Sequence, residues 1–248
     1  MSDVRAMPIR RTAGGEAQSG GPEGAGEMQI TEDIQLVETI RGCNVYLISA
    51  KDGSILVDSG LPGSGAALLS YLRERPTEGL KYLILTHADM DHIGGAAAIK
   101  MATGATVAIG EKDAPALAGY TPSKALKGPL SLLFGVMGKA MRVQHLEADR
   151  TLKDGDTIEG LRVIAVPGHT DGSIALWRPQ DRVLISGDAL LTDRHGGELA
   201  PRKSMAGDCA QALQSAASLR QLDYKYLLPG HGRPRVASVN DLSGHDKH

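Results

Sequence analysis

Aromatic side chains are scarce in this chain, with one Phe, one Trp and 6 Tyr making 3% of its 248 residues. A core must therefore come from Val, Leu, Ile and Ala, and the interleaving of bases with aromatic rings that stacks nucleic acid is missing. Cysteine is scarcer still. Cys43 and Cys209 cannot build a disulfide framework, and so few thiols fit a reducing compartment. No run approaches the roughly 18 consecutive apolar residues of a membrane span. Arg5, Arg10 and Arg11 have no apolar stretch behind them, so no secretory signal is expected. Neither charge sign dominates, since 27 Lys and Arg stand against 29 Asp and Glu for a formal net charge of -2. These absences lead to the expectation of a cytoplasmic protein acting on a small molecule, with neither nucleic acid nor membrane as partner.

What is present is enough for a sizeable core, because 42% of residues are hydrophobic and 23% charged. Residues 1–29, including "GGEAQSGGPEGAGE", lack periodicity and bury too little apolar surface to offset their ordering entropy, so a disordered tail is expected. One domain is expected over 30–236, followed by a second tail over 237–248. Within the domain, "IQLVETI", "NVYLIS" and "SILVDSG" read as strands, the last ending at Asp58. "GSGAALLSYLRER" reads as a helix closed by Pro76, and "IGGAAAIKMATG" as another ended by Gly104. Between them "LKYLILT" is a continuous apolar run, the mark of a strand covered on both faces. "TVAIG", "LRVIAV", "SIALW", "RVLIS" and "YKYLLP" are further strands, and "DCAQALQSAASLRQLD" is a helix with Asp208 as its N-cap. Strand hairpins followed by helices occur twice. That order predicts two packed sheets with helices outside.

Residues 111–145 differ in character and form a lid-like insert. In "GPLSLLFGVMGKAM", Leu130, Leu133, Phe134, Met137 and Met141 share one helical face at three- and four-residue steps. That face suits a helix packed on the core, a wall for an apolar substrate, or a contact in a homodimer. Leu133, Phe134 and Met137 are the expected substrate contacts there. His195, a few residues past "SGD", is a further candidate, although a surface-loop histidine is the plainer reading. His145 is expected at an exposed strand edge, and Ser173 is a turn residue with no general base near it in sequence.

Four buried strands run directly into side chains able to hold a metal. "LILT" leads to His87, Asp89, Asp91 and His92; "RVIAVPG" to His169; "VLISG" to Asp188; and "YLLPG" to His231. If the strands are neighbours, their loops converge on one edge, where ligand sites on open sheets lie. Seven donors exceed one tetrahedral zinc and suit two divalent ions sharing a carboxylate.

The order H-x-D-x-D-H-x-G-G, then P-G-H-T-x-G-S, S-G-D and P-G-H-G resembles the metallo-β-lactamase superfamily over about residues 30–236. The resemblance implies an α+β fold, a four-layer αββα sandwich, and a metal-dependent hydrolase. It implies that His87 and His169 bind a first ion with whatever occupies position 89. Asp91, His92 and His231 would bind a second, Asp188 would bridge, and Asp58 in "LVDSG" would support the ligands from behind. Most members have His where this chain has Asp89; the variant with Asp occurs among hydrolases and some phosphodiesterase-like domains. The implied reaction uses a hydroxide held between the ions, with Asp91 and Asp188 as the catalytic carboxylates. The expected substrate is an ester, thioester or lactone. A phosphodiester gripped by Lys124, Lys127, Lys139, Arg142, Arg194, Arg202 and Lys203 is the alternative, and oxidation of a sulfur compound by a single iron is a more distant one.

Asp89 carries an electrostatic consequence. Two divalent ions bring four positive charges, and Asp91, Asp188 and Asp89 remove three of them. A less positive centre acidifies water less strongly and favours harder ions. Zinc is the first choice of metal on the imidazoles, with manganese and iron made competitive by the carboxylate.

Overall fold

The structure, a computed structural model, describes residues 27–75, 79–124, 142–201 and 204–236. Among these residues the strands form two large sheets. The first runs in sequence order: β1 (Glu27–Gln29), β2 (Ile34–Val37), β3 (Tyr46–Ala50), β4 (Gly53–Val57), β5 (Leu80–Leu85), β6 (Thr106–Gly110) and β7 (Arg150–Leu152). Its first four strands are antiparallel neighbours, and β4 through β7 are parallel. The second has the order β15 (Arg235–Val236), β14 (Tyr226–Pro229), β11 (Val183–Gly187), β10 (Ile174–Arg178), β9 (Leu161–Ala165) and β8 (Thr157–Ile158), with β11 and β14 parallel. A small ribbon pairs β12 (Leu191–Thr192) with β13 (Glu198–Leu199).

Alternation along the strands builds the layers. In β4, Ile55 and Val57 face inward to meet Leu176, Val183 and Ile185 of the other sheet, while Leu56 faces outward. Leu56, Leu83, Leu85 and Val107 pack beneath α1 (Gly65–Arg73) and α3 (Ala96–Thr103) through Leu68, Tyr71, Ala96 and Ile99. On the far side, Ala175, Leu184 and Leu227 receive Ala216 and Leu219 of α5 (Cys209–Leu219). The result is the expected helix–sheet–sheet–helix sandwich. Both sheets are covered on each face, which is why their central strands read as continuous apolar runs.

Local signals place the helices. Gly104 ends α3 in the left-handed conformation at φ 70°, and the Asp208 carboxylate accepts the Gln211 N–H at 3.0 Å to start α5. The sequence expectations need correction at several points. Strands β1, β7, β8, β12, β13 and β15 are two or three residues long, too short to show a period of two. The first strand begins at Glu27, ahead of the expected start at residue 30. Strand β4 stops at Val57 because Asp58 has φ 62°, outside the extended region. His145 lies on no strand edge; it is an exposed residue of an irregular stretch, its Nδ1 3.2 Å from the Leu117 carbonyl oxygen. Residues 1–26 and 237–248 of the expected tails, and Leu133, Phe134 and Met137 of the insert, lie outside the described residues. No helix among those described is long and apolar enough to cross a membrane.

The inter-sheet layer sets the stability. Leu176→Ala, at a fully buried position, should lower the unfolding free energy by about 2–5 kcal/mol in urea titrations followed by circular dichroism. Met101→Ala, on an 82% exposed side chain, should stay within about 0.5 kcal/mol of the parent.

Candidate metal centre

Every predicted donor follows the C-terminal end of a strand, and the strands bring them to one rim. The loop after β5 carries His87 and Asp89, and then a single helical turn, α2 (Met90–Ile93), carries Asp91 and His92. Asp91 and His92 thus sit on helix, where a loop was expected. The loop after β9 supplies His169, the end of β11 supplies Asp188, and the end of β14 supplies His231. Among the described residues, four groups of donor atoms lie within 4.8 Å of one another: His87, Asp89 and His169; Asp91, His92 and His231; His87, His92 and Asp188; and, behind the rim, Cys43, Asp58 and His92. The sequence-derived set of seven is brought together in full.

The spacings are informative. His92 Nε2 lies 3.4 Å from His231 Nε2 and 3.5 Å from Asp188 Oδ1. Asp188 Oδ2 is 3.5 Å from both His169 Nε2 and His231 Nε2, and Asp91 Oδ2 is 3.4 Å from His231 Nε2. His87 Nε2 is 3.5 Å from Asp89 Oδ2. Donors about 2.1 Å from a shared tetrahedral ion stand about 3.4 Å apart. Two buried acceptors, His87 Nε2 and Asp188 Oδ1, have no hydrogen-bond partner among the described residues. Buried polar atoms are seldom left so, and the chemistry of the set fits divalent ions.

The tautomers agree with this. Asp58 anchors a relay behind the histidines, its Oδ1 accepting the Thr86 N–H at 2.8 Å and its Oδ2 lying 2.9 Å from His92 Nδ1. The Thr86 hydroxyl donates to Asp58 Oδ2 at 2.9 Å and stands 3.1 Å from His87 Nδ1, whose N–H it can accept. With both Nδ1 atoms so engaged, the Nε2 atoms of His87 and His92 face the rim, and in the neutral Nδ1–H tautomer each would present a lone pair there. The β11–β14 register shifts between Ile185 and Gly187, and with Gly187 at φ 49° the chain turns there into Asp188. At Gly230 a Cβ would meet Asp188 Oδ1 at 2.4 Å, so a side chain there would fill the cradle.

Burial disfavours the ionised forms of Asp89 and Asp188, yet both are held well below the usual carboxylate range. The imidazoles of His169 and His87 and the charge of Lys124 do this for Asp89, while His231, His92, His87 and His169 do it for Asp188. Burial pushes the His169 imidazole down, whereas against the same burial Cys43 and Asp58 hold His92 well up and Asp188 holds His231 up.

Two contributions were not read from the sequence as parts of the rim. Asp113 follows β6, ahead of α4 (Ala114–Leu117), where an Asp before Ala-Pro would suggest only a helix cap. Its carboxylate makes no cap. It accepts the Ala88 N–H (2.8 Å), the Gly172 N–H (2.8 Å) and the Thr170 hydroxyl (2.8 Å), tying the His87 loop to the His169 loop. Thr170 is held in turn by Ser173, whose Oγ accepts the Thr170 N–H at 3.1 Å; Ser173, expected in a turn, stands just after the turn at 171–172. Lys124, expected as a grip for phosphate, instead turns its ammonium onto Asp89 and His169. His195 is exposed, with Arg194 Nε donating to its Nε2 at 2.8 Å, and takes no part in the cluster.

The sequence profile of the Metallo-beta-lactamase superfamily matches residues 39–231. The chain is 32% identical to the probable metallo-hydrolase YflN of Bacillus subtilis, over 79% of this chain and 83% of that one. It is 33% identical to a hydroxyacylglutathione hydrolase of Anaeromyxobacter dehalogenans over 62% of its own length, spanning 50% of that relative. Among solved structures it overlays on TTHA1623 in a di-iron-bound form, with a TM-score of 0.58, 24% identity, and 78% and 89% of the two chains covered. It overlays likewise on LRA-12, a class B3 di-zinc metallo-β-lactamase from an Alaskan soil metagenome (TM-score 0.62, 24% identity, 83% and 78% covered). The chain belongs to the metallo-β-lactamase superfamily and is a metal-dependent hydrolase.

Asp113→Asn sets an amide N–H against one of the donors that the carboxylate accepts. It should cost roughly 1–3 kcal/mol of stability in urea unfolding. Glu111→Gln, on the exposed part of the same loop, should leave the midpoint unchanged.

Proposed function

We propose that the seven side chains hold two divalent ions and that the enzyme hydrolyses a small-molecule ester, thioester or lactone, with a thioester foremost. One observation carries the reading: the two three-donor groups flank Asp188, whose Oδ2 lies 3.5 Å from both His169 Nε2 and His231 Nε2, while Asp188 Oδ1 and His87 Nε2 are buried without a hydrogen-bond partner among the described residues. The hydroxyacylglutathione hydrolases among the relatives turn the choice within carbonyl substrates toward a thioester. Zinc and iron are both represented among proteins of this fold, as the di-zinc and di-iron neighbours illustrate.

When bound, such ions polarise the scissile carbonyl and acidify water. The protein's own part is positioning and proton transfer. Asp58, Thr86 and Asp113 fix the imidazoles and loops. Asn44 and Tyr46 donate to the Pro229 carbonyl oxygen at 2.9 and 2.8 Å, and Asn44 Nδ2 donates to that of Gly232 at 2.8 Å, clamping the His231 turn. Asp91 is the most open carboxylate of the set, at 30% exposure against 14% for Asp89 and 9% for Asp188. It is the group placed to take a proton from the attacking water and return it to the leaving sulfur or oxygen. Of the residues expected to grip a phosphodiester, Lys124 faces Asp89, Arg142 and Arg194 are exposed, and Lys127, Lys139, Arg202 and Lys203 lie outside the described residues.

Chelation should abolish turnover, and adding back Zn²⁺, Mn²⁺ or Fe²⁺ should restore it on acyl-glutathione thioesters ahead of lactones, aryl esters and bis-aryl phosphodiesters. Preference for the phosphodiester would reject the carbonyl reading. Asp91→Asn should lower kcat by about 10²–10⁴-fold, with metal content measured beside it to separate proton transfer from ion loss.

A further inference from the structure

We propose that Lys124 is a built-in competitor of the metal ion in the pocket of His87, Asp89 and His169, so that the two pockets fill in a fixed order. The Lys124 side chain is 4% exposed although residues 119–122 just ahead of it are exposed. Its ammonium contacts Asp89 Oδ2 and lies 2.9 Å from His169 Nε2, two of the three donors of that pocket. Ser123 reinforces the arrangement by donating to Asp89 Oδ1 at 2.6 Å. The segment thus directs a cation, with a hydroxyl beside it, at the carboxylate that distinguishes this first motif.

The other pocket is arranged differently. Among the described residues, the ion pairs of Asp91 and Asp188 are made with histidines alone. An ion entering between Asp91, His92 and His231 meets no lysine or arginine paired to these carboxylates among the described residues. One entering between His87, Asp89 and His169 must displace the ammonium, because two cations a few ångströms apart in a buried site repel strongly. The displaced ammonium also loses a charge-assisted contact to Asp89. Asp89 and Lys124 together carry no net charge, so the pair replaces a neutral histidine at position 89 in charge but not in ion affinity.

The inference rests on the proposed ligand set and not on the substrate, and stepwise metal affinities test it without any assay of turnover. Metal-free protein is titrated with Zn²⁺ and with Mn²⁺ by competition against a chromogenic chelator, and bound ions are counted after equilibrium dialysis. The parent should bind two ions with well-separated constants. Lys124→Met and Lys124→Gln should tighten the weaker step by about tenfold or more, the scale of one lost charge-assisted contact, and leave the tighter step within about twofold. In a His169→Ala background, where the competed pocket is disabled, Lys124→Met should change nothing. Circular dichroism and thermal unfolding establish that each variant folds. Two ions bound with constants insensitive to both Lys124 substitutions would overturn the competition while leaving the ligand set intact. Fewer than two ions at saturation would overturn both.

Discussion

Lone pairs held against lone pairs are the constraint from which the rest of this structure follows. Four imidazoles and three carboxylates converge with donor atoms 2.9–3.5 Å apart, several of them buried. Burial penalises each carboxylate, and each neighbouring acceptor adds repulsion. Such a cluster persists only where the surrounding backbone over-determines it. Here the backbone comes from strands buried on both faces, and that need explains why the donors sit at strand ends rather than on free loops.

The supporting contacts form a layer with its own logic. Asp58, itself in the left-handed region at φ 62°, takes up the Thr86 N–H and hydroxyl and faces His92 Nδ1. One side chain therefore sets the direction of two donors, His92 directly and His87 through Thr86. Asp113 performs the equivalent task between the His87 and His169 loops, and Asn44 and Tyr46 do so for His231. Each of these four joins segments distant in sequence. None of them touches the centre of the cluster, yet each fixes where a donor atom stands.

That division explains what could be read from the sequence. The seven clustered donors were legible because they follow apolar runs at strand ends, with Gly or Pro in the loops that carry them. The two-sheet architecture was legible from the same runs, since strands covered on both faces lose alternation and read as continuous Val, Leu and Ile. The short edge strands were not, because two or three residues define no period. Asp113 was hidden for another reason: its local sequence describes a helix start, whereas its partners Ala88, Thr170 and Gly172 lie 25 to 59 residues away. Lys124 was visible only as one base among several near the insert. Nothing local to "TPSKALKG" says that its ammonium turns inward.

Asp89 shows how an apparent weakness in a motif can be a property of a pair. Counted alone, an additional carboxylate lowers the charge of the centre by one and shifts its preference toward harder ions. Counted with Lys124, the formal deficit disappears while the metal is outside the pocket. It reappears once an ion enters and the ammonium leaves. The electrostatic character of the centre is then set by how far the displaced lysine moves, because an ammonium a few ångströms off still screens Asp89, whereas one released into water does not. On the proposed competition, residues 123–124 would share control of the metal preference with position 89.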